Sequence, residues 1–357
     1  MKSIQTETYA IHFNSQCYIA LNNYLKSQNI SKLFVIVDTN THEFCLPYFI
    51  SQIETNIPIE IVEIEDGESH KNIETCVGVW NVLSELGADR KSVIINLGGG
   101  VVTDLGGFVA CTFKRGLKYI NVPTSLLSMV DASVGGKTGV DLGPLKNQIG
   151  VINSGDMVLI DTNFLKTLPQ NQLKSGLAEM LKHGLIFERE YWNNFTNLKK
   201  LQLEDLDDLI YKSVEIKYAI VTKDPLENGI RKHLNYGHTI GHAIESYFLS
   251  QPNLPDLLHG EAIAIGMIME TYISNQLLGF PEKDLIEITK TINHIYKPVN
   301  ILSNSYNEII ELLKYDKKNE HGNINFVLLN AIGNPKIDCS VPNDLIIEAF
   351  EYYKKEN

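Results

Sequence analysis

Tyr236-Gly237-His238-Thr239-Ile240-Gly241-His242-Ala243-Ile244-Glu245 sets two imidazoles four residues apart, a spacing that places both on one face of a helix. A third histidine stands in Leu258-His259-Gly260-Glu261-Ala262. A carboxylate, a lysine and a fourth histidine share Gly176-Leu177-Ala178-Glu179-Met180-Leu181-Lys182-His183. Two imidazoles and one carboxylate, with a coordination position left open, make a donor set for a catalytic divalent ion. Spacing leaves the ligands undecided. His238 and His242 can share one ion, and Glu179 and His183 form a second pair at the same interval. The plain alternative is a set of helical histidines that are merely packed or solvated.

A second group of residues suits anions. Ser92–Leu97 runs into Gly98-Gly99-Gly100-Val101-Val102-Thr103-Asp104-Leu105-Gly106-Gly107. A strand opening through glycines into a helix lets backbone N–H groups approach a pyrophosphate, and the helix dipole favours the negative charge. The spacing is not GxGxxG, so the usual dinucleotide fingerprint is absent, and a tight turn with close strand–helix packing explains the glycines equally well. Asp66-Gly67-Glu68-Ser69-His70-Lys71 offers a carboxylate for a ribose or amide and an ammonium for a phosphate, or is an ordinary polar turn. The loop from Pro123 to Thr138 carries Thr124, Ser125, Asp131 and Lys137, and Lys146-Asn147 follows. It ends in Gly-Gly-Lys-Thr, but a nucleotide-triphosphate loop needs glycine where Asp131 stands, so that reading is rejected. Two lysines beside glycine turns still suit an anionic substrate, against the alternative of solvated surface charge.

These residues need elements to hold them. In the first half, short β-branched runs at Lys32–Asp38, Ile57–Glu65, Ser92–Leu97, Lys118–Pro123 and Met157–Thr162 alternate with helical patterns such as Lys71–Leu86. That alternation predicts a mostly parallel α/β sheet whose ligands gather at the carboxyl ends of the strands. After about Pro169 the pattern turns helical, over Gln172–Phe187, Leu203–Thr222, His233–Phe248, Gly260–Leu278, Glu282–Ile295 and Asp344–Lys355, with a short strand at Phe326–Asn330. The boundary is placed near residue 165, giving domains 1–165 and 166–357. The segment Ser250–Asp256 reads as irregular.

Composition narrows the function classes. The net charge of −12 argues against a nucleic-acid backbone as partner. The cysteines, Cys17, Cys45, Cys76, Cys111 and Cys339, are odd in number, widely spaced and without CxxC, which argues against a disulfide framework or a cysteine-rich zinc site. The first residues lack the apolar core of a signal peptide, and no stretch approaches the roughly 20 apolar residues of a membrane span. A cytoplasmic enzyme without a membrane partner is the expectation.

Taken in order, DGESHK, GGGVVTDLGGF, KRG, PTSLLSMVDASVGGKTGV, LKNQIG, GLAEMLKHG, RKHLNYGHTIGHAIE and LLHGEAIAIGM resemble the 3-dehydroquinate synthase family of sugar phosphate cyclases, over nearly the whole chain from Asp38-Thr39-Asn40 to Asp316-Lys317-Lys318. The resemblance implies an N-terminal Rossmann-like NAD domain, a mostly α-helical C-terminal metal domain, and a homodimer. It implies conversion of the sugar-acid phosphate 3-deoxy-D-arabino-heptulosonate 7-phosphate to 3-dehydroquinate and phosphate in the shikimate pathway, by an internal redox cycle with no net oxidation. Carried over by position, Glu179, His238 and His259 resemble the ligands of one divalent ion, zinc or cobalt, and His242 a phosphate contact that transfers a proton. Asp38, Asn40, Asp66, Gly67, Glu68, Lys71, Gly99, Gly100, Val101, Val102, Thr103, Asp104, Thr124, Ser125, Phe164 and Thr167 resemble cofactor contacts. Asp131, Lys137, Lys146, Asn147 and Lys182 resemble polar residues between cofactor and substrate. Arg115, Lys217, Glu227, Arg231 and Asn235 resemble further substrate contacts, and either Lys317 or Lys318 closes over the phosphate. The connection from His242 to His259 is longer than the family's usual one. Rival readings are a cyclase of another sugar phosphate, a polyol dehydrogenase that releases NADH, and a non-catalytic NAD-binding regulator.

Overall fold

β-branched and apolar residues are buried along almost the full length of Leu33–Asp38, Val93–Gly98, Lys118–Pro123 and Met157–Ile160, which is why these runs form strands covered on both faces. The computed structural model describes residues 2–143, 145–196, 206–251, 253–255, 257–315 and 324–356. In chain order the strands are β1 (Ile4–Gln5), β2 (Ala10–Phe13), β3 (Leu33–Asp38), β4 (Ile59–Ile64), β5 (Val93–Gly98), β6 (Lys118–Pro123), β7 (Lys137–Leu142), β8 (Leu145–Ile152), β9 (Met157–Ile160), β10 (Phe326–Ala331) and β11 (Asn334–Cys339). The chain divides into two units, Met1–Pro169 and Gln170–Asn357.

The first unit is built on a sheet of order β1-β2-β9-β6-β5-β3-β4. Every pairing is parallel except β1 with β2. From β3 the chain goes outward to β4, then returns to the other side of β3 as β5. The strand order therefore reverses between β3 and β5, and the crevice beyond their carboxyl ends is where a ligand fits such a sheet. Helices Ile73–Glu85 and Gly100–Thr112 pack their apolar side chains against Phe34, Ile36, Val62 and Ile94.

Three local features depart from the sequence reading. β1 and β2 add a further edge to the sheet, and β2 is only Ala-Ile-His-Phe, too short to show a pattern. The segment around Lys137 and Lys146, read as a polar loop, becomes the antiparallel hairpin β7–β8 after a π-helical turn at Ser128–Ala132. It is tertiary packing that makes it a hairpin: the Thr138 hydroxyl donates to the Asp104 carbonyl of the neighbouring helix.

The second unit is mostly helical, with β10 and β11 as an antiparallel hairpin. Its centre is the helix His259–Leu278, in which Ala262 to Thr271 are all buried, as expected of a helix apolar on nearly every face. Helices Gln170–Phe187, His238–Ser250, Glu282–Ile295 and Asn343–Lys355 pack around it. The single helix expected over His233–Phe248 is divided. A 3-10 turn, Ile230–Asn235, comes first, and the α-helix begins at His238 after Gly237, whose φ of 79° is left-handed.

Candidate functional site

Each of three helices in the second unit brings one chemical group to a common point. Gln170–Phe187 carries Glu179, and His238 and His259 are the first residues of their helices. Two close approaches set the geometry. A Cβ on Gly260 would lie 2.1 Å from the Ser175 carbonyl, so the helix bearing Glu179 crosses directly over the start of the helix bearing His259. The Gly260 N–H donates to the Ser175 hydroxyl at 3.0 Å in the same contact. A Cβ on Gly266 would lie 2.0 Å from the Gly237 carbonyl, which docks the start of the third helix.

Glu179 is fully buried. Its Oε2 pairs with the buried Lys182 ammonium. Its Oε1 has no donor in hydrogen-bond geometry among the described residues, yet it faces His238 Nε2 at 3.4 Å and His259 Nε2 at 3.8 Å. Burial opposes ionisation of Glu179, but Lys182 and then His238 outweigh it and hold the carboxyl well below the usual range. His238 Nδ1 meets the Tyr236 carbonyl at 3.1 Å, and a carbonyl can only accept, so Nδ1 carries the proton. His259 Nδ1 faces Glu245 Oε2 at 3.3 Å in the same way. Burial alone would depress the His259 imidazole; Glu245 and Glu179 outweigh it, and its pKa is pushed up to about 10. At neutral pH His259 is therefore an imidazolium whose Nε2–H faces Glu179; a divalent ion would displace that proton, and with Nδ1 held by Tyr236 and Glu245 the two Nε2 atoms and the carboxylate oxygen would be left to ligate it. Such a cluster fits a divalent cation.

His242 lies beside this group. Its ring centroid is 5.1 Å from that of His238 and 5.7 Å from that of His259, and the donor atoms of the three rings lie within 4.8 Å of one another. Its distance would also allow a fourth ligand. His183 turns to the Ser213 hydroxyl at 2.7 Å. Among the other residues of this unit, Lys217 and Arg231 are buried, and the Arg231 guanidinium donates to the Pro225 carbonyl at 2.8 Å. Asn235 donates to Glu227 Oε1 at 2.9 Å, and Glu227 sits at a φ of 62°. Asp224 holds this loop by accepting from the N–H groups of Asn228, Gly229 and Arg231. Asp316, Lys317 and Lys318 lie outside the described residues.

In the first unit the candidate cofactor residues follow the carboxyl ends of the parallel strands. Asp38 ends β3 and caps the helix Thr39–Phe44, which carries Asn40. Asp66, Gly67 and Glu68 follow β4, with Asp66 held ionised below its usual range chiefly by the Thr39 hydroxyl. Gly99 to Asp104 follow β5, and the helix starting at Gly100 presents its first free N–H groups, those of Gly100, Val101 and Val102. Thr103 donates back to the Gly99 carbonyl at 3.1 Å. Thr124, Ser125 and Asp131 follow β6, and Phe164 and Thr167 belong to the 3-10 turn after β9 and its C-cap. Lys71 is buried between Asp104 Oδ2 and Asn147 Oδ1, each at 2.6 Å, so it braces the glycine turn to the β7–β8 hairpin. Burial would lower its pKa, but Asp104 and Glu68 outweigh this and raise it. Lys137 opens β7 and Lys146 lies in β8, its Nζ 4.0 Å from Glu68 Oε1. Arg115 is different. It precedes β6, at the amino edge of the sheet, with Lys114, Arg115 and Gly116 all at positive φ, and the fold of this unit leaves it apart from the other residues.

Comparison with known proteins decides between the rival families. The model of the 3-dehydroquinate synthase N-terminal domain matches residues 61–175, and that of the C-terminal domain residues 176–319. The chain belongs to the 3-dehydroquinate synthase family. A 3-dehydroquinate synthase of Parabacteroides distasonis is 42% identical over 94% of this chain and 95% of its own. Among solved structures, 2-deoxy-scyllo-inosose synthase complexed with carbaglucose-6-phosphate, NAD+ and Co2+ superposes with a TM-score of 0.85 at 26% identity, covering 98% of this chain and 99% of the other. The 2-epi-5-epi-valiolone synthase of Streptomyces hygroscopicus, with NAD+ and Zn2+ bound, has a TM-score of 0.86 at 23% identity over 100% and 99% of the two chains, a likeness of fold.

Within this member of the 3-dehydroquinate synthase family the sequence reading overlooked Ser175 and Glu270, which accept from the backbone at the starts of two donor helices, and Glu245, which meets the His259 ring. Glu270 had a readable signal, a lone acid inside the apolar run Ala262–Ile273. Ser175 had none.

Proposed function

We infer that the chain converts 3-deoxy-D-arabino-heptulosonate 7-phosphate to 3-dehydroquinate and inorganic phosphate, a phosphate-eliminating lyase step of the shikimate pathway leading to chorismate and aromatic amino acids. The observation that carries this reading is the convergence of Glu179 Oε1 with the Nε2 atoms of His238 and His259, in a chain matched by both family models. Glu179, His238 and His259 would hold one zinc or cobalt ion, and the carboxyl edge from Asp38 to Thr167 would hold NAD. When bound, NAD supplies reversible hydride transfer and the ion supplies a Lewis acid.

The chain's own residues do the rest. A phosphate dianion and a carboxylate need fixed cations, which are assigned as Lys137, Lys146 and His242 for the phosphate and Lys217 and Arg231 for the carboxylate. Elimination breaks the bond to the phosphate oxygen as the adjacent carbon gives up its proton, so a proton carrier beside the leaving group is required, and His242 takes that part. Glu227 and Asn235, already paired, present a fixed acceptor and donor to the sugar hydroxyls. Asp131, Asn147 and Lys182 complete the polar lining in this assignment. Arg115, at the opposite edge of its sheet, joins it as a residue presented by a second copy, in keeping with a homodimer. The net charge of −12 weighs against a nucleic-acid partner, and a cytoplasmic location is part of this proposal. No helix among the described residues is long and apolar enough to cross a membrane.

The test is incubation with the heptulosonate phosphate, NAD and zinc, with and without a chelator. Phosphate release and dehydroquinate absorbance that vanish on chelation, with no free NADH, are expected. Stoichiometric NADH without phosphate would overturn the reading. Lys146→Ala should lower kcat/KM roughly 100-fold, the loss that follows removal of one preorganised charge; full turnover would contradict the phosphate assignment.

A further inference from the structure

Glu270 is a carboxylate with no exposed surface, set in a helix that is apolar on nearly every side. A buried acid is costly unless its oxygens are satisfied. Oε2 accepts from the Gly237 N–H at 2.7 Å and Oε1 from the Ile240 N–H at 3.1 Å. These two residues are the N-cap and the third residue of the helix His238–Ser250, and Gly237 itself has no side chain to offer as a cap. The cap therefore comes from another helix, and it grips the backbone on both sides of His238. Tyr236 is held from the other direction, its hydroxyl donating to the Met267 carbonyl at 3.2 Å, and the Tyr236 carbonyl in turn receives His238 Nδ1.

We propose that Glu270 is a positioning residue for the metal centre: as an internal cap it fixes the start of the helix, and with it the direction of His238 Nε2 toward Glu179. This rests on the reading of Glu179, His238 and His259 as metal ligands. Glu270→Gln keeps the size but turns one acceptor into a donor facing a backbone N–H. It is expected to weaken Co2+ binding about tenfold, the lower end of the loss when a ligand's supporting partner is removed, and to shift the visible absorption of the Co2+ form. Glu270→Asp, which keeps the charge but withdraws it by one methylene, should give a smaller change of the same kind and serves if the glutamine variant does not fold. Ile268→Ala, a buried change on the same helix, should lower Tm while leaving affinity and spectrum at the parental values. Affinity is measured by chelator competition. Parental affinity and spectrum in the folded Glu270 variants would overturn the proposal, as would an equal change in Ile268→Ala. If the parent binds no stoichiometric Co2+, or Glu179→Gln retains full affinity, the ligand assignment fails instead.

Discussion

Glu245 is not among the candidate ligands or substrate contacts, yet its carboxylate holds a proton on Nδ1 of His259. Because Nδ1 is occupied by Glu245, Nε2 is the atom left to face Glu179. Glu245→Gln is therefore expected to reduce divalent-metal affinity about 10- to 100-fold, with a cooperative melt retained, and chelator competition reads this directly. An unchanged affinity would mean the contact is incidental. Residue type made Glu179, His238 and His259 visible in the sequence, since few side chains can ligate. The same sequence could not rank His242 against His259, because the choice depends on where a second helix starts. Glu245 and Glu270 were hidden for a related reason: an acid in a helix looks like a solvated charge until its neighbours are known.

Contact between elements depends on missing side chains as much as on present ones. Gly260→Ala would drive a methyl into the Ser175 backbone, and a cost of about 1–3 kcal/mol with loss of metal binding is expected, measured by urea unfolding and Co2+ titration. Gly78, in the exposed face of the helix Ile73–Glu85, has nothing within 4 Å of the point where a Cβ would stand, so Gly78→Ala should stabilise by about 0.5–1 kcal/mol. The Lys71 brace gives a third expectation. Lys71→Met leaves Asp104 without its counter-ion and should cost about 3 kcal/mol at neutral pH. The folded pKa of Lys71 lies above its unfolded value, so the brace contributes fully below about pH 10.4 and fades as pH climbs through the folded value. The gap between parent and variant in urea should narrow accordingly. Periodicity located most of these helices and strands, since it records burial. It missed the break at Gly237, because the cap that permits a new helix there lies on a different helix, and it missed β7–β8, whose glycines and lysines look like a loop until Asp104 is beside Thr138.

Across the whole molecule, the proposed metal ligands and the proposed cofactor contacts belong to different units, and on that reading occupancy should be readable separately. Hydrogen exchange with Co2+ alone is expected to slow at His238–Ser250 and the start of His259–Leu278, and with NAD alone at the carboxyl ends of β3 and β5. Protection spread evenly over both units by either ligand would contradict that division. The alternation of strands and helices, followed by helices alone, made this architecture legible from the sequence, but not the outer part of the sheet, where β2 is too short to carry a signal. That short strand has a consequence for biosynthesis. β2 lies between β1 and β9 and aligns Ala10–Phe13 with Met157–Ile160. It leaves the ribosome roughly 150 residues, or about seven to thirty seconds, before its parallel neighbour exists. During that interval only β1 can pair with it, so the edge meant for β9 stays bare on the nascent chain and a chaperone would have to shield it.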